Sequence, residues 1–190
     1  VHGTGEARCF LASGVSGKAL GSYAGLAFVF VSADAMERLE GKLLPATFDV
    51  MSAVKSPGPV TTVSSPLVSA AHEALLRYDG AAGFQSRLEE YAALGRWTRE
   101  RMREVGLTPL SLEEHAAPVV TTFALPSADF VRRCARAGFR IAHQSEYLER
   151  RDWGQIATMG DVDRKRLEPL FAWMAAECAG ELRMVGTSGT

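Results

Sequence analysis

The stretch ASGVSGKALGSYAGLAFVFVS, residues 12–32, decides how the rest of the chain is read. It places Lys18 among small residues, with glycines at 14, 17 and 21 and no acid nearby. It then runs directly into LAFVFVS (26–32), an apolar run dense in β-formers. CFLAS (9–13) is a shorter apolar run just upstream. Both read as buried strands, the second apolar on both faces, as in a strand covered by helices on either side. Lys18 therefore falls in a Gly-rich turn between two strands. On the residues alone two readings stand side by side: a surface lysine in a turn, or a nucleophile whose amine is activated by apolar surroundings.

Two phosphate motifs are excluded. The phosphate-binding loop needs GxxxxGK followed by Ser or Thr. Here Ala12 stands at the first glycine and Ala19 follows Lys18, so no hydroxyl is placed for magnesium. GTGEAR (3–8) lacks the third glycine of the dinucleotide fingerprint.

Further along, SADAMERLEGK (32–42) reads as a short helix capped by Ser32, with Ala35, Met36 and Leu39 facing inward. SPGPVTTVSSP (56–66) reads as an ordered loop. Ser65-Pro66 opens a helix expected to stop at Gly80. A long helix follows at about 83–105, its apolar stripe formed by Phe84, Leu88, Tyr91, Leu94, Met102 and Val105, and its Arg/Glu/Thr face solvated. Gly106 closes it. Beyond it, LTPLSL, APVVTTFALP, GFRIAH and WGQIATMG read as strands. Ser127 caps a helix to about 137, and DVDRKRLEPLFAWMAAECAG reads as a capped terminal helix before a frayed tail. That β-β-α-β-β-α order describes an α+β layer with helices on one side. The expected organisation is 1–82, 83–182 and a flexible tail at 183–190.

The bulk composition is that of a globular protein: 190 residues, 47% hydrophobic, 23% charged, net charge −1. Nothing points to nucleic acid or a membrane surface, no apolar run reaches membrane-span length, and no signal peptide is seen. Cys9, Cys134 and Cys178 form no CxxC pair, which argues against a zinc site or a disulfide framework and for a reducing, cytoplasmic setting. Cys134 and Cys178 fall on apolar helix faces and read as packed thiols. His72 and His115 have no metal-type partners.

Three segments in order, SGKALGSYAGLAFVFVSADAMERL, TTVSSPLVSAAHEAL and GQIATMGDVDRKRLEPL, resemble the class V aminotransferases. These are fold type I pyridoxal-phosphate enzymes, and the likeness is to the alanine–glyoxylate, serine–glyoxylate and 2-aminoethylphosphonate transaminase branch. The resemblance implies an α/β fold: the end of the large domain, then a small α+β C-terminal domain. It implies pyridoxal 5′-phosphate as cofactor, with Lys18 forming the internal aldimine and moving the proton between Cα and C4′. It places Ser16 near the cofactor phosphate and brings Thr62 to the phosphate of a neighbouring subunit, these enzymes building each site at a dimer interface. Tyr23 would line the pocket. For Thr62 a loop-stabilising hydroxyl, and for Tyr23 plain packing, remain the alternatives.

Two departures from the family matter. The family's phosphate loop, ring-stacking aromatic and pyridine-pairing Asp all precede the lysine, and no Asp precedes Asp34 here. The expected partner is a polypeptide supplying that N-terminal half, in a dimer or heterotetramer. The chain is then one half of a split enzyme, or the C-terminal part of a single-chain one. Strand edges and apolar faces are expected to be uncovered in it. Second, Gln155 stands where the family has the arginine that grips a substrate α-carboxylate. The small-molecule substrate then lacks that carboxylate, or another arginine binds it; Arg140, Arg150 and Arg151 flank the loop AHQSEYLERRDW (142–153). That loop has no cysteine, unlike the cysteine desulfurases. His143 either touches substrate or ends a strand. Transamination is the expected reaction; elimination, decarboxylation and carbon–carbon bond chemistry are alternatives, as is a non-catalytic stabilising subunit.

Overall fold

The computed structural model describes residues 9–39, 45, 48–59 and 62–187, with side chains to residue 179. Residues 1–8, the end of the 32–42 helix, residues 60–61 of the 56–66 loop and residues 188–190 lie outside the described set. The chain divides into two units, Val1–Leu76 and Arg77–Thr190.

In the first unit, β1 (Leu11–Val15) and β2 (Ala27–Val31) pair antiparallel, with Leu11 opposite Val31 and Val15 opposite Ala27. Helices α1 (Ala33–Leu39), α2 (Val50–Lys55) and α3 (Ser65–Leu76) follow. Ser32 starts α1 as expected: its hydroxyl accepts from the Ala35 N–H at 3.1 Å, and Ala35 is buried. Helix α2 was not foreseen; Asp49 caps it by accepting from the Ser52 N–H.

The expectation of two buried strands needs correction. Phe30 is 68% exposed and Val29 53%. The buried side chains of this unit are small ones: Ser16, Ala35, Ala71 and Ala74. Twelve of the sixteen large apolar side chains that are exposed belong to this unit. The composition of the strands matched a covered sheet, but no described residue covers them.

The second unit holds a complete core. Helix α4 (Gly80–Glu104) begins three residues earlier than expected, and α3 ends four before the anticipated stop at Gly80. Its inward face carries Tyr91, Leu94 and Met102 as foreseen, whereas Phe84 is 44% exposed. The chain closes α4 by a Schellman turn: Gly106 (φ 84°) donates to Arg103 O, and Leu107 to Met102 O. The turn drops Leu107 into the core beside Met102. Strands β3 (Val120–Ala124) and β4 (Trp153–Ala157) pair antiparallel, Thr122 opposite Gln155. Helix α5 (Phe130–Arg136), the short α6 (Glu146–Glu149) and α7 (Arg164–Thr187) complete the unit. Leu167, Leu170, Phe171 and Met174 of α7 pack with Phe123, Phe130, Cys134 and Ile156. That i, i+3, i+4, i+7 spacing is why this sequence makes a helix with one buried stripe. Trp97 meets Phe171 edge-on at 5.5 Å.

Two of the four strands expected here shrink to single bridges, Pro109 to Phe123 and Ala142 to Gln155. Pro109 has no N–H to continue a ladder, and the Phe139 N–H is spent closing α5 on Cys134 O. The tail does not fray at Gly180: α7 continues to Thr187 through the helix formers Glu181, Leu182, Arg183 and Met184. Burial pushes the Cys134 thiol up to about 11, which makes it a packing group. No described helix is long and apolar enough to cross a membrane.

The expected solvated face of α4 also needs correction. Arg99 is 4% exposed and Thr98 fully buried. The Arg99 guanidinium forks onto Glu113, with Nε donating at 3.0 and 3.1 Å, and Arg103 donates to the same carboxylate at 3.1 Å. Hydrogen bonds from Arg99 hold the Glu113 carboxyl down at about 2, against the opposing cost of desolvation. A carboxyl lowered on folding stabilises above its unfolded value and loses that stabilisation as pH falls toward its folded one. Glu113→Gln is therefore predicted to cost about 1–2 kcal/mol at neutral pH, the half-exposed carboxylate being partly screened. Urea titrations of both proteins should converge as pH drops from about 4.5 to about 2; a gap constant with pH would contradict the pairing.

Candidate active site around Lys18

The β1–β2 connection is a tight backbone knot. Ser16 donates its N–H to Leu26 O and accepts at its own carbonyl from the Ser22 N–H, both at 3.0 Å. Its hydroxyl donates to Tyr23 O at 2.6 Å and accepts from the Leu26 N–H at 3.2 Å. Ser16 has no exposure to solvent. Gly17 then passes so close to Ala24 that a Cβ would lie 2.7 Å from its Cα. The next turn is closed by the Gly21 N–H donating to Lys18 O at 2.9 Å. Gly25 sets the far end of the loop against Leu67 of α3.

Lys18 sits exposed at the head of that turn. Its neighbours enclose a cleft of about 490 Å³ whose walls include Val15, Leu20, Phe28 and Val29. Among the described residues no carboxylate lines it, and Lys18 makes no ion pair with any of them. The hydroxyl of Ser22, in the same loop, is buried without a hydrogen-bond partner among the described residues.

Of the residues singled out in the sequence, Ser16, Lys18 and Tyr23 come together in this one loop. Tyr23 is 75% exposed. Thr62 is exposed in the segment leading into α3, in the same unit. Gln155 and Arg140 belong to the second unit. Gln155 donates from Nε2 to Thr122 Oγ1 at 3.0 Å, a cross-strand pair that follows from the β3–β4 register. Its backbone also pairs with Ala142. Arg140 is exposed. Arg151 stacks on Tyr147 and Trp153, and Arg150 pairs with Glu146. His143 donates from Nδ1 to Trp153 O at 2.9 Å, which satisfies it structurally. The Thr122 partner and the orphan Ser22 hydroxyl were not found in the sequence. Thr122 needs the strand register, and Ser22 needs the folded loop.

No family model matches the sequence. The 2-aminoethylphosphonate–pyruvate transaminase of Pseudomonas fluorescens strain Pf0-1 is 31% identical over 134 residues, 65% of this chain and 36% of that one. The corresponding transaminase of strain Pf-5 is 28% identical over 170 residues, 84% of this chain and 46% of that one. Among solved structures, an aspartate aminotransferase of subgroup IV from Thermus thermophilus superposes with a TM-score of 0.71 at 25% identity, over 90% of this chain and 49% of that one. These likenesses support the class V aminotransferase family for the part of the chain they cover. Its fold is that of fold type I aminotransferases, an alanine–glyoxylate aminotransferase from Nostoc sp. matching with a TM-score of 0.70 at 19% identity over 87% of this chain and 47% of that one. The chain spans less than half the length of the curated relatives it matches. Aminotransferases of this fold type use pyridoxal 5′-phosphate.

The cleft fits one part of that cofactor's needs. It offers a primary amine without an ion-pair partner among the described residues, apolar walls and room for an aromatic ring. It offers neither a carboxylate for the pyridine nitrogen nor a second cation for the phosphate.

The loop's dependence on Gly17 is open to test. Gly17→Ala forces Ala24 away and is predicted to speed chymotryptic cleavage after Tyr23 at least about fivefold, with the second unit left intact. Cleavage at the wild-type rate would contradict the close crossing.

Proposed function

We propose that this chain is the lysine-bearing part of a pyridoxal-phosphate-dependent aminotransferase acting on a small amine, with Lys18 as its nucleophile. One observation supports this above the others: Lys18, without an ion-pair partner among the described residues, stands on a hydrogen-bonded turn beside an apolar cleft, in a chain similar to class V aminotransferases. When bound, the cofactor supplies an aldehyde that condenses with amines and a ring that accepts the electron pair released at the substrate carbon. Lys18 would hold the cofactor through its Nζ and, when free of it, would be the base that carries a proton to and from the substrate carbon. Val15, Leu20, Phe28 and Val29 give the cleft beside the amine its apolar walls.

On this reading Thr62 binds the cofactor phosphate, and Tyr23, Gln155 and Arg140 meet the substrate. Gln155 is neutral and already held by Thr122. A neutral amide suits an amine without an α-carboxylate better than an ordinary amino acid. Relatives named for 2-aminoethylphosphonate are in keeping with such a donor.

The pyridine-pairing acid and the phosphate cradle come from a polypeptide segment other than these 190 residues. That segment covers the exposed hairpin, whose Val29 and Phe30 side chains offer it an apolar face. Activity requires it.

Visible absorption tests the proposal. The chain, assembled with the segment that completes the site, is expected to shift the cofactor's absorption band on mixing. Lys18→Ala should abolish the shift and reduce transamination at least about a thousandfold. A folded Lys18→Ala protein that keeps band and activity would overturn it.

A further inference from the structure

We infer that Ser16 is a positioning residue: its buried hydroxyl clasps the β1–β2 loop and so fixes the turn that presents Lys18, without touching cofactor. This rests on the proposed role of Lys18 and departs from the phosphate contact that the family resemblance implies for Ser16.

The hydrogen bonds decide the assignment. A serine hydroxyl has one proton to give. Ser16 spends it on Tyr23 O at 2.6 Å, closer than Leu26 O at 3.3 Å. The oxygen accepts from the Leu26 N–H. The backbone N–H and carbonyl of Ser16 are also used, on Leu26 and Ser22. One residue thus ties together positions 22, 23 and 26 with no solvent exposure. A phosphate oxygen would have to displace the Tyr23 carbonyl and enter a closed loop.

The consequence falls on Lys18 because it is two residues away. Its turn hangs between the Ser16 clasp and the Gly21 N–H bond to its own carbonyl. Apart from the contact of Gly25 with Leu67, packing does little to anchor this segment: the fully buried side chains among the described residues of the first unit are small. Removing the hydroxyl leaves Tyr23 O and the Leu26 N–H unpaired inside the loop, a penalty that opening the loop relieves. The lysine then reaches its electrophile from a broad set of positions instead of one.

Two ligands separate clasp from phosphate contact. Pyridoxal 5′-phosphate requires the lysine for its covalent bond, whereas pyridoxamine 5′-phosphate carries the same phosphate and forms none. In the assembled protein, Ser16→Ala is expected to weaken the first at least about tenfold and the second by less than about threefold. Amide exchange at Ser22 and Leu26 should be slow in the wild type and at least about tenfold faster in Ser16→Ala. Ser16→Thr, which keeps the hydroxyl, should restore slow exchange; should its extra methyl prevent folding, the slow wild-type exchange at Ser22 and Leu26 still has to be met. Equal weakening of both ligands with unchanged exchange would make Ser16 a phosphate ligand and overturn the inference. Fast exchange in the wild type would overturn the clasp itself. If Lys18→Ala leaves wild-type affinity for pyridoxal 5′-phosphate unchanged, the role of Lys18 fails, and with it the positioning role, while the exchange data still report on the clasp.

Discussion

A fully buried hydroxyl holds the first unit in shape. Ser16 closes a loop of nine residues onto itself, and the unit has no large buried side chain to do that work by packing. Hydrogen bonds usually refine a geometry that apolar burial has set. Here the order is reversed. The β1–β2 ladder, the Ser16 bonds and the Gly17 crossing set the loop, and the apolar side chains around it face outward. Lys18 inherits its position from backbone closures.

The second unit is built the opposite way. Its core joins α4, β3, α5, β4 and α7 through contiguous aliphatic and aromatic contacts. Its inward-reaching guanidinium groups find partners: Arg99 on Glu113, and Arg87 through its terminal nitrogens on Tyr91 and the Gly160 carbonyl. The Arg87 bond fixes the loop after β4, and the β3–β4 register fixes Gln155 against Thr122. The second unit is thus held by a core of its own, whereas the first keeps large apolar side chains at its surface.

Much of this was legible in the sequence wherever a local rule applied. The Ser32 cap, the Gly106 stop, the terminal helix and Tyr91, Leu94 and Met102 on the α4 stripe follow from backbone chemistry and helical period. Lys18 in its Gly-rich turn was legible for the same reason. What escaped depends on tertiary partners. The burial of Arg99 needs Glu113, fourteen residues away, and that of Arg87 needs Gly160, seventy-three away. Apolar β2 reads as buried because composition records the surroundings a strand is made for. The strands expected at 107–112 and 138–143 failed on single residues, Pro109 and the spent N–H of Phe139. Ser16 was legible as a site residue only through family resemblance; its hydrogen bonds give it another duty.

The central claim is that the folded loop singles out one amine. The chain has four lysines, Lys18, Lys42, Lys55 and Lys165. The most direct measurement is borohydride reduction of the assembled protein with stoichiometric pyridoxal 5′-phosphate, followed by peptide mass mapping. The account predicts the reduced cofactor on Lys18 alone. Label spread over the other lysines in proportion to their exposure, with Lys18 not preferred, would contradict it.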